Sequence, residues 1–198
     1  MTPVLPLSYP PCNIRSACSP GSKMRFFNSH ARANPEQKQT QRSVMQKAKT
    51  AIETYLDERE IAYEGIDHPP AASAEEYNRT LNTRYEQQAK VLLVRYTKDG
   101  ATAYAVLAIQ GHKRADLDNL KQVVGATKLR LADKEQLKEM TGCNFGELHP
   151  FAGIFGLPLW MDKDLLAQDR IYINAGCLDY SVIIDPKEVQ KLESPLLF

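Results

Sequence analysis

The sequence predicts an α/β fold of the α+β type: a single domain, residues 45–198, in which helices pack a mixed, largely antiparallel sheet. Three observations lead there. Strand-like and helix-like segments intermix rather than alternate strictly, which argues against a doubly wound parallel sheet. Two apolar runs flank Lys98-Asp99-Gly100, and Asp-Gly between such runs signals a hairpin. Helix-starting side chains recur ahead of short periodic stretches, at Ser73, Asp133 and Asp185.

Val44, Ala48, Ala51, Ile52, Tyr55 and Leu56 recur at intervals of three and four, the spacing of an amphipathic helix. Ile61–Ile66 reads as a short strand ended by His68-Pro69-Pro70. Ser73-Ala-Glu-Glu76 is a capping box, in which the serine oxygen and Glu76 each satisfy an orphan amide, so a helix runs from there to about Leu81. Lys90–Tyr96 and Thr102–Ile109 form the hairpin strands. Leu117–Val124 reads as a helix and Lys128–Leu131 as a strand. Asp133-Lys-Glu-Gln136 opens the next helix. Leu157–Met161, Arg170–Ile173 and Ser181–Ile184 are strands, and Asp185-Pro186 starts a last helix with proline at its preferred first position.

Residues 1–44 differ from this body. They hold Pro3, Pro6, Pro10, Pro11, Pro20 and Pro35, and no acid before Glu36. With no sustained period, this extension is expected to be disordered. Its arginines and serines also suit an organelle transit peptide, although the prolines oppose the amphipathic helix such peptides form, and a secretory apolar core is missing. Met45, where periodic structure begins, is an alternative start.

The net charge of +1 conceals an asymmetry. Six of the 25 basic residues but only one of the 24 acidic ones fall in 1–44, leaving 19 and 23 in the body, a net charge of −4. Broad, sequence-independent nucleic-acid binding draws on a basic surface, so any nucleic acid recognised by this body is touched locally. No apolar run approaches the roughly 20 residues that span a bilayer, and the protein is expected to be soluble and cytoplasmic, without a membrane partner. Cys12, Cys18, Cys143 and Cys177 form no C-x-x-C pair, and neither they nor His30, His68, His112 and His149 have metal-ligand spacing. Buried, inert thiols in a reducing compartment are expected, and no metal.

Signatures of the serine-hydrolase elbow, the phosphate-binding loop, the zinc-protease helix and the dinucleotide turn are all missing. Three features remain. Lys90 opens an apolar strand, sharing a face with Leu92, Val94 and Tyr96. It is either a strand-end lysine whose ammonium reaches water or a cation aimed into a cleft. Gly142-Cys-Asn-Phe-Gly146-Glu-Leu-His-Pro150-Phe-Ala-Gly153 is either an ordinary loop or one that turns backbone amides toward an oxyanion. His149 within it invites a general-base reading, although no carboxylate stands at a recognisable spacing. Asn174-Ala-Gly176-Cys177 makes a turn or admits a ligand closely, and a thiol nucleophile at Cys143 or Cys177 would need a base that cannot be assigned.

In order and spacing, Ala89-Lys90-Val-Leu-Leu-Val, Gly111-His-Lys-Arg-Ala-Asp116-Leu, Ala132-Asp133, Thr141-Gly142, Gly146-x-x-x-Pro150-Phe151 and Asn174-Ala-Gly176 resemble the YbaK/prolyl-tRNA synthetase editing family. The likeness covers roughly residues 47–195. It implies a trans-editing hydrolase that cleaves the ester of mischarged aminoacyl-tRNA, often tRNA(Pro), with no cofactor. The aminoacyl-tRNA 3′ end is then the partner, and prolyl-tRNA synthetase a second one. By the same resemblance Lys90 contacts the terminal adenosine or its phosphate, Gly146–Pro150 holds the aminoacyl group through the backbone, and Gly176 lines the pocket. Lys90, Gly146 and Pro150 carry the chemistry, while His149, Phe151, Gly176 and Ser181 contact substrate. Water attacks the carbonyl, backbone amides stabilise the oxyanion, and a ribose hydroxyl of the substrate helps move protons. His149, Ala152 and Ser181 depart from the family pattern, so cysteine specificity is not implied. The alternative is a non-catalytic module of the same fold that binds a tRNA end, a nucleotide or a protein.

Overall fold

The computed structural model describes residues 47–198; the extension read at 1–44 lies outside the described residues. Residues 47–57 are helical (α1). There follow β1 (Glu64–Asp67), α2 (Ala74–Leu81), β2 (Ala89–Lys98), β3 (Ala101–Gln110), α3 (Leu117–Val124), β4 (Lys128–Leu131) and α4 (Lys134–Thr141). The chain closes with β5 (Leu159–Met161), α5 (Lys163–Leu166), β6 (Ile171–Asn174), β7 (Tyr180–Ile184), α6 (Pro186–Glu193) and β8 (Leu196–Leu197). Among the described residues no helix is long and apolar enough to cross a membrane.

Local signals act where they were read. Asp99 and Gly100 both have positive φ, 51° and 80°, the geometry of a two-residue turn whose twist matches the strands. Ser73 and Glu76 close a reciprocal capping box on α2, and Asp133 and Gln136 another on α4. Asp185 caps α6 with Pro186 at its start. Strand edges move by a few residues: the strand read at Ile61–Ile66 begins only at Glu64.

The strands divide into two sheets. One is three-stranded, ordered β1-β7-β6, and antiparallel throughout; the other is five-stranded, ordered β4-β2-β3-β5-β8, with β3-β5 and β5-β8 parallel. Side-chain alternation explains how the larger sheet is covered on both faces. Val106 and Ala108 of β3 join the main core with α1, α6 and the smaller sheet, whereas Ala105, Leu107 and Ile109 join a second core with Leu120 and Val124 of α3. A lone parallel bridge between Gln88 and Tyr172 brings the start of β2 beside β6.

That bridge positions the site. β4 pairs with β2 only over Val94–Thr97, so the Ala89–Leu92 half of β2 is an open edge. The two sheets part there, and a cleft lies between them.

Candidate active site

The cleft has a volume of about 400 Å³. Its walls come from the entry of α2 (Ala72–Ala74, Tyr77), the open half of β2 with Lys90, Gly111 at the end of β3, Gly146 and Leu148 of the loop after α4, and Tyr172 and Asn174 of β6. Among the described residues no carboxylate, imidazole or thiol stands in these walls. The titratable side chains there are Lys90 and the phenols of Tyr77 and Tyr172.

Lys90 pairs with Ile109 across the hairpin, and its side chain reaches the next turn of chain. Nζ donates to the carbonyl of Gly111 at 3.2 Å and to that of Lys113. Burial, with Arg114 as a second cause, holds the ammonium below the ordinary lysine range. Both carbonyls are uncharged, so Lys90 keeps its charge for whatever enters the cleft.

Opposite stands Gly146, whose φ is +84° and whose carbonyl accepts from Asn174 Nδ2 at 2.8 Å. The same Nδ2 donates to Ala71 O at 3.2 Å. Asn174 thus staples the loop to the segment entering α2 and spends both amide protons doing so. The turn itself is closed by Asn144, whose amide and side chain both donate to Glu147 Oε2 at 2.8 Å. Among the described residues the amides of Gly146 and Leu148 donate to no protein acceptor.

Beneath the cleft runs a buried chain of polar groups. Tyr77 donates to Ser181 Oγ, and Ser181 Oγ lies 2.6 Å from His68 Nε2. His68 Nδ1 is 2.8 Å from Pro69 O. That carbonyl can only accept, so in the neutral ring Nδ1 carries the proton and Nε2 accepts from Ser181. With the serine proton spent there, the 3.4 Å approach of Ser181 to Asn174 Oδ1 is the weaker contact. Burial pushes the Tyr77 phenol well above its ordinary range, so it stays protonated and donates.

The structure therefore distributes the residues that the sequence singled out. Lys90 and Gly146 face one cleft. Ser181 is fully buried and reaches it only through Tyr77 and Asn174. Phe151 is also fully buried, and Pro150 beside it anchors the loop to the core. His149 and Gly176 line a different cavity of about 350 Å³, bounded by α1, α4 and the far side of the loop. A Cβ on Gly176, at φ +76°, would come within 3.0 Å of Ala48 Cβ, so this glycine lets α1 pack closely. Cys143 and Cys177 are buried, and burial raises both thiols, that of Cys177 to about 12, which leaves them poor nucleophiles. Tyr77, His68 and the stapling role of Asn174 went unread because only tertiary contact brings them together. The one sequence signal was Tyr77, the aromatic of a short, mostly polar helix.

His149 is 3% exposed, stacks on Phe155 with ring centres 4.8 Å apart, and leaves Nδ1 without a partner. Burial alone drops its pKa from 6.5 to about 3, which makes it a weak proton acceptor at neutral pH. Between those values the unfolded chain holds a proton that the folded chain does not, so stability is complete above pH 6.5 and falls as pH falls toward 3. The loss reaches about 2 kcal/mol at pH 5, at about 1.4 kcal/mol per pH unit. Urea denaturation at pH 8 and pH 5 checks this: His149→Phe should lose measurably less stability over that interval than the native chain.

The fold matches the crystal structure of a candidate trans-editing enzyme for prolyl-tRNA synthetase with a TM-score of 0.67, covering 76% of this chain and 94% of that one at 22% identity. Residues 68–192 match the aminoacyl-tRNA editing domain, and the chain belongs to that family, of the YbaK-like kind. It is 29% identical over 143 residues to the multifunctional Ser/Thr-tRNA deacylase ProXp-y of Escherichia coli K12, covering 69% of this chain and 86% of that protein. It is 27% identical over 150 residues to the prolyl-tRNA editing protein ProX of Acetoanaerobium sticklandii, covering 73% and 90%.

Proposed function

We propose that this chain is a trans-editing hydrolase that cleaves the ester of mischarged aminoacyl-tRNA, with tRNA(Pro) as its preferred carrier and prolyl-tRNA synthetase as the enzyme whose errors it removes in the cytoplasm. One observation carries the chemistry: Lys90 and the Gly146 loop line a single cleft whose walls include no side-chain general base of ordinary strength. Such a site works by positioning and by electrostatic stabilisation.

In this reading Lys90 turns its ammonium to the terminal adenosine or its phosphate. The free amides of Gly146 and Leu148 meet the ester oxygen as it gains charge. Water attacks the carbonyl carbon, the ester bond breaks toward the ribose oxygen, and a neighbouring ribose hydroxyl relays the proton. Pro150 and Phe151 hold the loop from behind. Gly176 keeps α1 in place, and His149 shapes the loop's far side. Ser181 acts on the acyl pocket through Tyr77 and Asn174, whose hydroxyl and amide groups suit a small polar amino acid. Relatives named as a Ser/Thr-tRNA deacylase and a prolyl-tRNA editing protein support this substrate class.

The test is a deacylation panel with Ser-, Thr-, Ala- and Cys-charged tRNA(Pro). At least one of these should turn over at more than about a hundred times the spontaneous rate, an acceleration of about 2.7 kcal/mol. Turnover of none, with retained binding of uncharged tRNA, would replace the enzyme by a non-catalytic binding module.

A further inference from the structure

The loop between β3 and α3, residues 111–116, is held from both sides. Lys90 donates to the carbonyls of Gly111 and Lys113 from within the cleft. On the other side Lys113 Nζ bonds Asp162 Oδ2 at 2.7 Å and also Asp164 Oδ2, ahead of and within α5. The Lys113 amide closes a turn onto Gln110 O at 3.0 Å. Asp116 then caps α3 by accepting from the Asn119 amide at 3.0 Å. These bonds fix the backbone on either side of one residue, Arg114.

Arg114 is exposed, and among the described residues it makes no hydrogen bond or ion pair. Its amide nitrogen belongs to the same peptide group as the Lys113 carbonyl that Lys90 holds, so the arginine leaves the chain beside the ammonium of a residue that lines the cleft. The neighbouring cation, Lys113, is already paired with two carboxylates. A rigid loop thus presents an unpaired guanidinium close enough to Lys90 for the two cations to repel, and after burial that repulsion is the second cause that holds Lys90 below the ordinary lysine range. An anion placed there removes that repulsion.

We propose that Arg114 binds a backbone phosphate of the single-stranded 3′ end of the substrate, one position outside the nucleoside that occupies the cleft. The assignment rests on the reading of the substrate as an aminoacyl-tRNA. A guanidinium fork matches two phosphate oxygens, and in a body of net charge −4 one placed cation contributes where a broad basic surface is lacking. Lys113 is the positioning residue: its bonds to Asp162 and Asp164 hold the loop so that Arg114 meets the strand.

The experiment compares the full chain with its Arg114→Gln and Arg114→Lys variants on two substrates, an aminoacyl-tRNA and a 3′-aminoacyl adenosine that carries no phosphate. Arg114→Gln is expected to lose at least tenfold more kcat/KM on the tRNA than on the phosphate-free ester, with the loss carried by KM. The salt dependence of log kcat/KM on tRNA should become shallower by about 0.7, the contribution of one phosphate contact on a single strand. Arg114→Lys should restore that salt dependence and part of the affinity. Equal losses on both substrates, or no loss on tRNA, overturn the assignment while leaving the hydrolase reading intact. Were the native chain to turn over no aminoacyl-tRNA, its binding of a short oligonucleotide ending in CCA remains the readout. There Arg114→Gln weakens binding at least fivefold, and equal binding overturns the proposal.

Discussion

Replacing Lys90 with methionine is expected to lower kcat/KM for aminoacyl-tRNA deacylation by about a hundredfold, the loss of a charge-assisted contact of up to about 3 kcal/mol with the terminal adenosine or its phosphate. Methionine keeps the stem that packs beside Leu92 and removes only the ammonium. Two things then go. The cleft loses the one cation that lines it among the described residues, and the carbonyls of Gly111 and Lys113 lose their donor. The second loss is modest, because each such bond nets about 1 kcal/mol and methionine no longer buries an ammonium that burial disfavours. Urea midpoints should therefore shift little while activity falls steeply. Lys90→Arg separates charge from shape: a guanidinium keeps the charge, but its planar fork cannot occupy the compact position between two carbonyls, and rescue should be slight. Full activity in Lys90→Met, measured in single turnover with enzyme in excess, would remove this residue from the mechanism.

What the sequence made legible follows from the range of the forces involved. Capping boxes at Ser73 and Asp133, the Asp99-Gly100 turn and Pro186 act within four residues, and each element they start or join stands where it was read. The division into two sheets was hidden, because it is decided by pairing between β1 and β7 and between β3 and β5, strands distant in sequence. α5, of four residues, and β8, of two, are too short to carry a period. The site divides in the same way. Lys90 and Gly146 emerged through family resemblance, since position alone left both readings of the lysine open. His149 and Asn174 illustrate the limit: each lies in a motif beside other singled-out residues, yet the loop turns His149 to the far cavity and β6 turns Asn174 into the cleft. Adjacency in sequence does not say which side of a loop a side chain takes.

Gly146→Ala tests the other wall of the cleft, and its expected effect is of similar size. Gly146 has φ +84°, where a side chain is strained, and a Cβ there would lie 3.0 Å from Leu178 Cδ2 and 3.3 Å from Ala72 O. The leucine can rotate away. The backbone oxygen of Ala72 cannot, because the segment is held by the capping box of α2, where Glu76 accepts from the Ala72 and Ser73 amides at 2.9 and 3.1 Å. The loop must therefore yield, and the strain costs about 1–3 kcal/mol of stability. The movement carries the Gly146 carbonyl away from Asn174 and turns the neighbouring amides off the ester oxygen. A shift of about 1 Å at reacting atoms costs roughly a hundredfold in rate, so kcat should fall that far in a protein that still folds. Asn174→Ala discriminates the cause. It removes the staple to Gly146 O and Ala71 O without straining any φ, and it should reproduce most of the loss in kcat. If Asn174→Ala keeps native kcat while Gly146→Ala loses it, the glycine matters for the space it leaves to substrate rather than for the placement of the loop.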